Sequence, residues 1–383
     1  MISPEFRPIV GGYERAAERL SAALVEAGIS VVVIAERRDR AWTAIETTNG
    51  YEIRRLACSY RRYLHTITGL LSFAGFLLRH GRTFDVWHVH QYGFQAALAV
   101  ALGKVLRRPV ALKLMNTGAH GIAAAMRSGV AAWVLGDLHR RVSACIAISA
   151  ETCTEAIRFG IPPERIHLIP NGLNSRELCP ASPEERKVAR LALGLKCEHL
   201  VLSVGRLAPE KNLLGLLDAW AAVDTKVRDR ALLALVGDGP QRDNVQAKAK
   251  ALKLAGSVHL AGQCSNVATW YRAADIYVIS SDNEGLSNSM IEALACGVPV
   301  ISTRVSGSSI LLESPISGLV VDTGNVENLA GAMESLLRNE SLRTQLATNA
   351  RRTFETHFAL EVLSKKMIAL YKQLLGGQNR GRA

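Results

Sequence analysis

The sequence has few of the features that mark metal, redox or nucleic-acid-binding proteins. Its seven cysteines are scattered without any C-x-x-C pair, so neither a disulfide framework nor a cysteine-based zinc site is expected. Aromatic residues make up only 5%, and no zinc-finger, helix-turn-helix or aromatic RNA-binding pattern occurs. The longest apolar run, residues 67–78, has 12 residues and is too short for a bilayer, which takes about 20. These features favour a protein of the reducing cytoplasm.

Length and charge limit the architecture and the partners. A chain of 383 residues with 48% apolar residues should form two or three domains, because single cores stop growing at about 250–300 residues. Residues 1–172 carry 21 Lys and Arg against 13 Asp and Glu, whereas residues 173–383 carry 25 against 21. The basic first half indicates an anionic partner. Without a nucleic-acid motif, anionic lipid headgroups or nucleotide diphosphates explain this charge more simply, and no nucleic acid is expected.

The clearest pattern in the chain lies at residues 276–302. A β-branched run precedes a polar turn with Glu284 and Gly285, and good helix formers follow from residue 288 to residue 296. Glu292 falls about two turns into this helix, which the following Gly-Val-Pro ends. In a parallel sheet such a loop faces the ligand crevice, and the helix N-terminus offers free N–H groups to an anion. We therefore expect an anionic group to bind at Gly285, Leu286 and Ser287.

A second strand, turn and helix open the carboxyl-terminal half. Residues 200–204 read as a buried strand, and residues 213–220 read as a helix. Arg206 and Lys211 would project from the loop between them, where two cations can hold a diphosphate and neutralise the charge of a leaving nucleotide. The alternative is that both are ordinary solvated loop residues.

The first 34 residues predict a similar unit. Gly11 and Gly12 form a turn before an amphipathic helix over residues 16–27, and residues 31–34 read as a buried strand.

His88 and His90 end another strand and face the same side of it, but no third metal ligand is near in sequence. No metal site is therefore expected.

The segment at residues 54–81 is basic at its front and apolar behind. One interpretation is a helix that packs on the sheet and carries ordinary surface arginines. The other is an interfacial helix with its apolar side in a membrane and its arginines on lipid phosphates. In the second interpretation the lipid-binding arginines are Arg54, Arg55, Arg61 and Arg62.

Several of these motifs resemble one enzyme family. The E-x7-E pair of Glu284 and Glu292, followed by ALACGVPVI, resembles the signature of the family 4 retaining glycosyltransferases, and VGRLAPEKN resembles their phosphate-contacting loop. The Gly-Gly-Tyr-Glu near the start is similar to their GG-x-E element. The resemblance covers residues 3–375 and implies an α/β protein of GT-B architecture, with two Rossmann-like doubly wound domains facing across a cleft. We expect an acceptor-side domain at residues 1–175, a nucleotide-sugar domain at 176–357, and a helix and tail at 358–383 that cross back.

The resemblance also implies roles for single residues. Glu284 would contact hydroxyls of the donor sugar and Glu292 the ribose, and Arg206 with Lys211 would hold the diphosphate. Arg206, Lys211 and Glu284 are therefore the predicted catalytic residues. The predicted donor-binding residues are Gly11, Gly12, Glu284, Gly285, Leu286, Ser287, Glu292 and Gln263.

The sequence departs from the family at the end of one first-domain strand. Relatives place a histidine there that contacts the transferred sugar, and this chain has Met115 or Asn116 at that position. The nearest histidine is His120. We assign Lys113, Asn116 and His120 to the acceptor side; alternatively, Lys113 is a strand residue that points to solvent.

The resemblance implies a retaining transfer of a hexose-type sugar from a UDP- or GDP-sugar to a glycan or lipid-linked acceptor. The sequence contains no D-x-D, so no metal is expected to bridge the diphosphate, and no cofactor is expected besides the donor. Because the family histidine is displaced, a non-catalytic nucleotide-sugar-binding protein is an alternative, as is an epimerase on the same fold. We expect a cytoplasmic protein, with the inner face of an anionic membrane as a further partner.

The first residues predict a short central strand. Only Met1, Ile2 and Ser3 precede Pro4, whereas strands usually take about five or six residues. Relatives carry several apolar residues ahead of this segment. We therefore expect Met1 to be an internal methionine of a longer protein.

Overall fold

The computed structural model describes residues 1–9, 12–115, 122, 130–305, 307–312 and 316–380. The chain divides into two compact units, and each is described separately below. Unit 1 comprises Met1–Gly172 and Leu360–Ala383, and unit 2 comprises Leu173–Ala359.

Unit 1 is built on parallel strands that flank the first residues of the chain. Ile2 bridges Ile34 on one side and Val89 on the other, both in parallel. The predicted position of the first residues at the centre of the sheet is therefore confirmed, while the expected upstream segment stays a prediction. One part of the sheet has the order β1-β3-β2 and the other β4-β5-β6-β7. These strands are β1 Val32–Arg37, β2 Ile45–Thr48, β3 Tyr51–Ala57, β4 Trp87–His90, β5 Val110–Leu114, β6 Ala144–Ala147 and β7 Ile166–Leu168.

Helices cover both faces of this sheet. The predicted first helix begins at Gly12, so Gly12 belongs to the helix and not to the preceding turn. Gly28 follows that helix with φ +82° and lets the chain turn into β1. Among the described residues the α-helices of unit 1 are α1 Gly12–Glu26, α2 Arg62–His80, α3 Phe94–Leu106, α4 Val130–Arg140 and α5 Ala150–Phe159, with the carboxyl-terminal helix Leu360–Arg380.

The segment at residues 54–81 is not one helix, which corrects both interpretations of it. Arg54 and Arg55 lie on strand β3, which forms an antiparallel hairpin with β2. Arg55 is 5% exposed, pairs with Glu46 at 2.6 Å and donates to the carbonyl oxygen of Arg7 at 2.9 Å. Arg55 is thus a structural residue of the sheet, and only the later part of the segment forms helix α2.

Unit 2 is a doubly wound parallel sheet with the strand order β10-β9-β8-β11-β12-β13. Its strands are β8 His199–Val204, β9 Ala231–Val236, β10 Val258–Gly262, β11 Ile276–Ile279, β12 Val300–Thr303 and β13 Gly318–Val321. The described α-helices of this unit are α6 Pro183–Ala192, α7 Leu213–Ala222, α8 Thr225–Arg228, α9 Arg242–Ala251, α10 Ala268–Ala273, α11 Asn288–Ala295, α12 Val326–Arg338 and α13 Glu340–His357. The helix after α13, Leu360–Arg380, is α14 and belongs to unit 1.

The core of unit 2 explains why the middle strands are so apolar. Strands β8, β9 and β11 are buried on both faces, as is usual for a parallel sheet. Trp220 of α7 is fully buried in this core, and its indole nitrogen donates to Ser257 at 3.2 Å. The carboxyl ends of these three adjacent strands meet at one edge of the sheet, which is where the candidate site lies.

Candidate active site

Two glycine-containing loops of unit 2 pack directly on each other. An added Cβ at Gly237 would lie 1.9 Å from the carbonyl oxygen of Gly205, and one at Gly239 would lie 2.5 Å from the carbonyl oxygen of Leu207. The loops are joined by backbone hydrogen bonds from Gly205 to Val236 at 2.9 Å and from Leu207 to Asp238 at 3.0 Å. Only glycine permits this approach, so the loop after β9 fixes the shape of the loop after β8.

An ammonium–carboxylate pair forms the centre of the candidate site. Lys211 Nζ donates to Glu284 Oε1 at 2.5 Å, and Ser281 Oγ donates to Glu284 Oε2 at 2.9 Å. The side chains of Lys211 and Glu284 are 24% and 15% exposed, so the pair is partly desolvated while still reachable. The structure therefore brings together two of the three predicted catalytic residues.

The loops that carry this pair are held to each other by further bonds. Ser280 Oγ donates to the carbonyl oxygen of Lys211 at 2.8 Å, and the backbone N–H of Asp282 donates to the carbonyl oxygen of Glu210 at 3.0 Å. Asn212, at φ +46°, caps helix α7 and donates from Nδ2 to Asp282 Oδ1 at 2.9 Å. These bonds fix the geometry of the pair before any ligand arrives.

Arg206 lies in the same loop but faces another carboxylate. Its guanidinium donates to Glu210 at 2.8 Å, and the two side chains are 67% and 42% exposed. Exposed pairs of this kind contribute little, about 0–1 kcal/mol, so an incoming anion can replace Glu210 at small cost. Arg206 is therefore available to a ligand, although it does not contact the Lys211–Glu284 pair.

Helix α11 begins next to this pair. Ser287 is its N-cap and accepts from Met290 N, and Ser287 Oγ lies 2.8 Å from Ser289 Oγ. Glu292, in the second turn, lies near the buried Tyr271. Burial, with additional contributions from Tyr277 and Glu292, raises the pKa of Tyr271. The helix end predicted to bind an anion thus stands at the carboxyl edge of β11.

The remaining predicted donor residues are less closely placed. Gly285 and Leu286 lie half-buried in the loop after β11. Gln263 is exposed at the end of β10, and strand β9 separates it from β8. Gly11, Asn116 and His120 lie outside the described residues.

Unit 1 contains a buried polar cluster at the ends of β4 and β5. The rings of His88 and His90 stack at 4.6 Å, and Lys113 stands beside His90 in the strand register. All three side chains are at most 2% exposed, so Lys113 does not point to solvent as the alternative supposed. His88 Nδ1 lies 2.6 Å from Tyr371 Oη, whereas neither ring nitrogen of His90 has a hydrogen-bond partner among the described residues.

The buried histidines predict acid sensitivity in unit 1. Burial, together with the charge of Lys113, lowers the pKa of His88 and His90 well below 6.5. Below pH 6.5 the unfolded chain binds protons that the folded chain does not. The free energy of unfolding should therefore fall by about 1.4 kcal/mol per pH unit for each histidine. Hydrogen exchange of strands β4 and β5, followed between pH 8 and pH 5, measures this loss of stability.

A histidine variant separates this effect from general acid unfolding. His90→Leu removes a buried imidazole that has no hydrogen-bond partner among the described residues, so it should weaken the acid sensitivity of β4 and β5 without lowering protection at pH 8. His259→Leu, on the outer strand of unit 2, is the matched control and should leave the unit 1 profile unchanged. An unchanged acid dependence in His90→Leu would contradict the explanation.

Some residues of the site were not predicted from the sequence. Ser281, Glu210 and Asn212 all contact the predicted loops directly. The signal for Ser281 was available, since short polar residues at the carboxyl end of a parallel strand commonly face a ligand crevice. Among the described residues no group of three His, Cys, Asp or Glu side chains could hold a metal ion.

The fold has well-defined counterparts among solved structures. A crystal structure of Anabaena Alr3699/HepE in complex with UDP superposes with a TM-score of 0.76 at 19% identity, covering 97% of this chain and 98% of that one. The same Anabaena protein has also been solved with UDP-glucose. The class of the fold is therefore GT-B, with two Rossmann-like domains, as the sequence predicted.

Family comparison then identifies the chain. Residues 10–177 match the family described as Glycosyltransferase Family 4, and residues 189–353 match the family described as Glycosyl transferases group 1. The chain belongs to the family 4 glycosyltransferases.

Two curated relatives show how far the similarity extends. Lipopolysaccharide core biosynthesis glycosyltransferase LpsE of Rhizobium meliloti (strain 1021) is 34% identical over 171 residues, which are 45% of this chain and 49% of that protein. D-inositol 3-phosphate glycosyltransferase of Rhodococcus opacus (strain B4) is 30% identical over 246 residues, which are 62% and 54% of the two chains. The match thus spans about half the length of each relative.

Proposed function

We propose that this protein transfers a hexose-type sugar from a UDP- or GDP-sugar to a glycan or lipid-linked acceptor, with retention of anomeric configuration. The observation that carries the proposal is the Lys211–Glu284 pair, fixed by Ser281 at the carboxyl edge of the unit 2 sheet. A binding site at that edge is the usual position for a nucleotide in an open parallel sheet. The LpsE relative acts in lipopolysaccharide core biosynthesis, which supports a glycan or lipid-linked acceptor.

In the proposed mechanism each side chain acts on a different part of the donor. Lys211 and Arg206 neutralise the diphosphate as the bond to the sugar breaks, because negative charge builds on the leaving nucleotide. Glu284 accepts hydrogen bonds from the sugar hydroxyls, and Glu292 accepts them from the ribose. The segment from Gly285 to Ser287, which leads into the N-terminus of α11, presents backbone N–H groups to an anionic oxygen.

On the acceptor side we propose a role for Lys113. Burial lowers the pKa of Lys113 to about 8, so it is still largely protonated at pH 7. With His90 beside it, Lys113 gives the carboxyl end of β5 a positive charge that would orient an anionic acceptor group. Asn116 and His120 follow it in sequence and remain proposed acceptor-side residues.

A donor screen tests the proposal and separates it from its alternatives. Purified protein is heated with UDP- and GDP-hexoses to find the one that raises its melting temperature most. The same sugar nucleotide, labelled in the hexose, is then incubated with and without a lipid-linked or glycan acceptor. Transfer that needs the acceptor supports the proposal. Binding without turnover would indicate a binding protein, and acceptor-free conversion of the sugar would indicate an epimerase.

Chelation of divalent metals is expected to leave the transfer rate unchanged. Lys211, Arg206 and the α11 N-terminus supply positive charge at the proposed diphosphate position, so no cation is needed there. The initial rate is measured with and without EDTA, and a metal-dependent glycosyltransferase is assayed in parallel as a control. A loss of activity that Mg²⁺ or Mn²⁺ restores would contradict this part of the proposal.

A further inference from the structure

Unit 1 carries a basic groove at the amino-terminal edge of its sheet, where strands β5 and β6 begin. The groove encloses about 1730 Å³ and has apolar walls that include Val100, Leu106 and Leu138. Six cationic residues line it, and the acidic residue among its lining residues is Asp137, which pairs with Arg141 at 2.8 Å. The six cations are Arg82, Lys104, Arg107, Arg108, Arg141 and Arg165.

At least two of the six groove cations are not neutralised by an acidic side chain of the described residues. Arg82 and Lys104 are exposed, and the described residues give neither of them an acidic partner. Arg108 donates to the carbonyl oxygen of Arg82 at 2.5 Å and lies 3.8 Å from Asp85, which is 80% exposed. A concave surface lined by one sign of charge concentrates ligands of the opposite sign.

Helix α2, which ends at the rim of the groove, has an unusual outer face. Four large apolar side chains at helical spacing are exposed to solvent, by 46% to 68%. The opposite side of the same helix is buried through Phe73 and Leu77. The stripe is therefore a second apolar face and not part of the core. Its residues are Leu64, Ile67, Leu71 and Leu78.

The stripe ends next to the groove along the chain. Leu78 is one helical turn before Arg82, and an added Cβ at Gly81 would meet Leu106 of α3 at 3.2 Å. On α3 itself, Val105 is 70% exposed among the groove cations. The molecule thus presents an apolar strip about 21 Å long, at 1.5 Å per residue over residues 64–78, and a cationic concavity at its end.

We propose that this surface docks on a bilayer containing anionic phospholipid. A bilayer can satisfy both parts of this surface. Its phosphates pair with the groove cations, and the boundary of its acyl chains covers the apolar stripe. A soluble polyanion would neutralise the groove but leave the stripe in water. This proposal rests on the proposed function in one respect, namely that the acceptor is presented at a membrane. Among the described residues no helix is both long and apolar enough to cross a bilayer.

Vesicle co-sedimentation of the full chain tests this surface. Vesicles of phosphatidylcholine, with and without phosphatidylglycerol, are compared at low and high salt. The protein should sediment with the anionic vesicles and be released by salt. The double variants Arg82→Glu/Lys104→Glu and Ile67→Ser/Leu71→Ser should each lower the partition coefficient at least about tenfold.

Two control variants in unit 2 match these changes in kind and number. Lys187→Glu/Lys250→Glu makes the same change in net charge at exposed positions. Val188→Ser/Leu191→Ser removes two exposed apolar side chains from α6, which are 65% and 74% exposed. Both controls should bind vesicles like the unchanged protein. The proposal is overturned if the controls lose as much binding, or if anionic lipid makes no difference.

Two further measurements distinguish the sources of binding and the two proposals. Inorganic polyphosphate that binds the groove, without any binding to vesicles, would overturn the bilayer as the partner. The thermal shift with the nucleotide sugar should be the same in all four variants, because none of their substitutions falls in the loops that carry Lys211 and Glu284. Vesicle binding without any nucleotide-sugar binding would support the proposed membrane-docking surface and refute the proposed transfer.

Discussion

Replacing Lys211 by alanine is expected to lower kcat/KM for the nucleotide sugar at least about tenfold. A charge-assisted contact to a partly desolvated phosphate contributes roughly 2–4 kcal/mol to transition-state stabilisation. The change also takes away the ammonium group that donates to Glu284 at 2.5 Å, so the carboxylate loses its cationic partner. Arg206→Ala should likewise cost at least about tenfold, because its exposed guanidinium can exchange Glu210 for the diphosphate.

The matched control for both variants is Arg230→Ala. Arg230 pairs with Glu198 at the opposite edge of the same sheet, immediately before β9, and its side chain is 64% exposed. Its loss should leave kcat/KM within about twofold of the unchanged protein, since surface pairs contribute about 0–1 kcal/mol. Unchanged kcat/KM in both Lys211→Ala and Arg206→Ala would refute the assigned diphosphate site.

The second large effect is expected at Gly237, where the added methyl group of alanine has no space. Its Cβ would lie 1.9 Å from the backbone oxygen of Gly205, and the backbone itself is at φ +142°. A contact with backbone cannot be relieved by a rotamer change, so the two loops must separate. Gly237→Ala should lose more than about 3 kcal/mol of unfolding free energy and lower the melting temperature by roughly 6–12 °C.

Gly256→Ala provides the control in the same unit. Nothing lies within 4 Å of a Cβ at Gly256, and its backbone is outside the left-handed region. Its melting temperature should stay within about 2 °C of that of the unchanged protein. Hydrogen exchange of β8 and β9 should rise in the Gly237 variant alone. Equal stability of the two variants would show that the close approach of the loops is not required.

Most of the candidate site could be predicted because local sequence determines it. The alternation of a buried strand, a polar loop and a capped helix places Lys211 and Glu284 at the same sheet edge, whatever the rest of the chain does. Direct contact between them could not be predicted, because it depends on adjacent pairing of β8 and β11, which are separated by 71 residues. The pairing of Arg206 with Glu210 depends on side-chain rotamers and could not be predicted either.

The errors have identifiable causes in the first unit. The hairpin of β2 and β3 was missed although Asn49-Gly50, at φ +47° and +77°, is a strong turn signal between two strands. Arg54 and Arg55 were assigned to a helix because an apolar run follows them, whereas the strand places Arg55 against Glu46. The burial of Lys113 could not be predicted, because both faces of the five-residue strand β5 carry apolar residues and the sequence does not distinguish a buried face from an exposed one.

The measurement that tests the central claim most directly is the anomeric configuration of the product. The unchanged protein is incubated with the UDP- or GDP-hexose that stabilises it most and with a lipid-linked or glycan acceptor, and the new glycosidic bond is examined by NMR. The account predicts one transferred hexose with the configuration of the donor, at a rate that Lys211→Ala lowers at least about tenfold. An inverted product, or no transfer from any nucleotide hexose with any such acceptor, would contradict it.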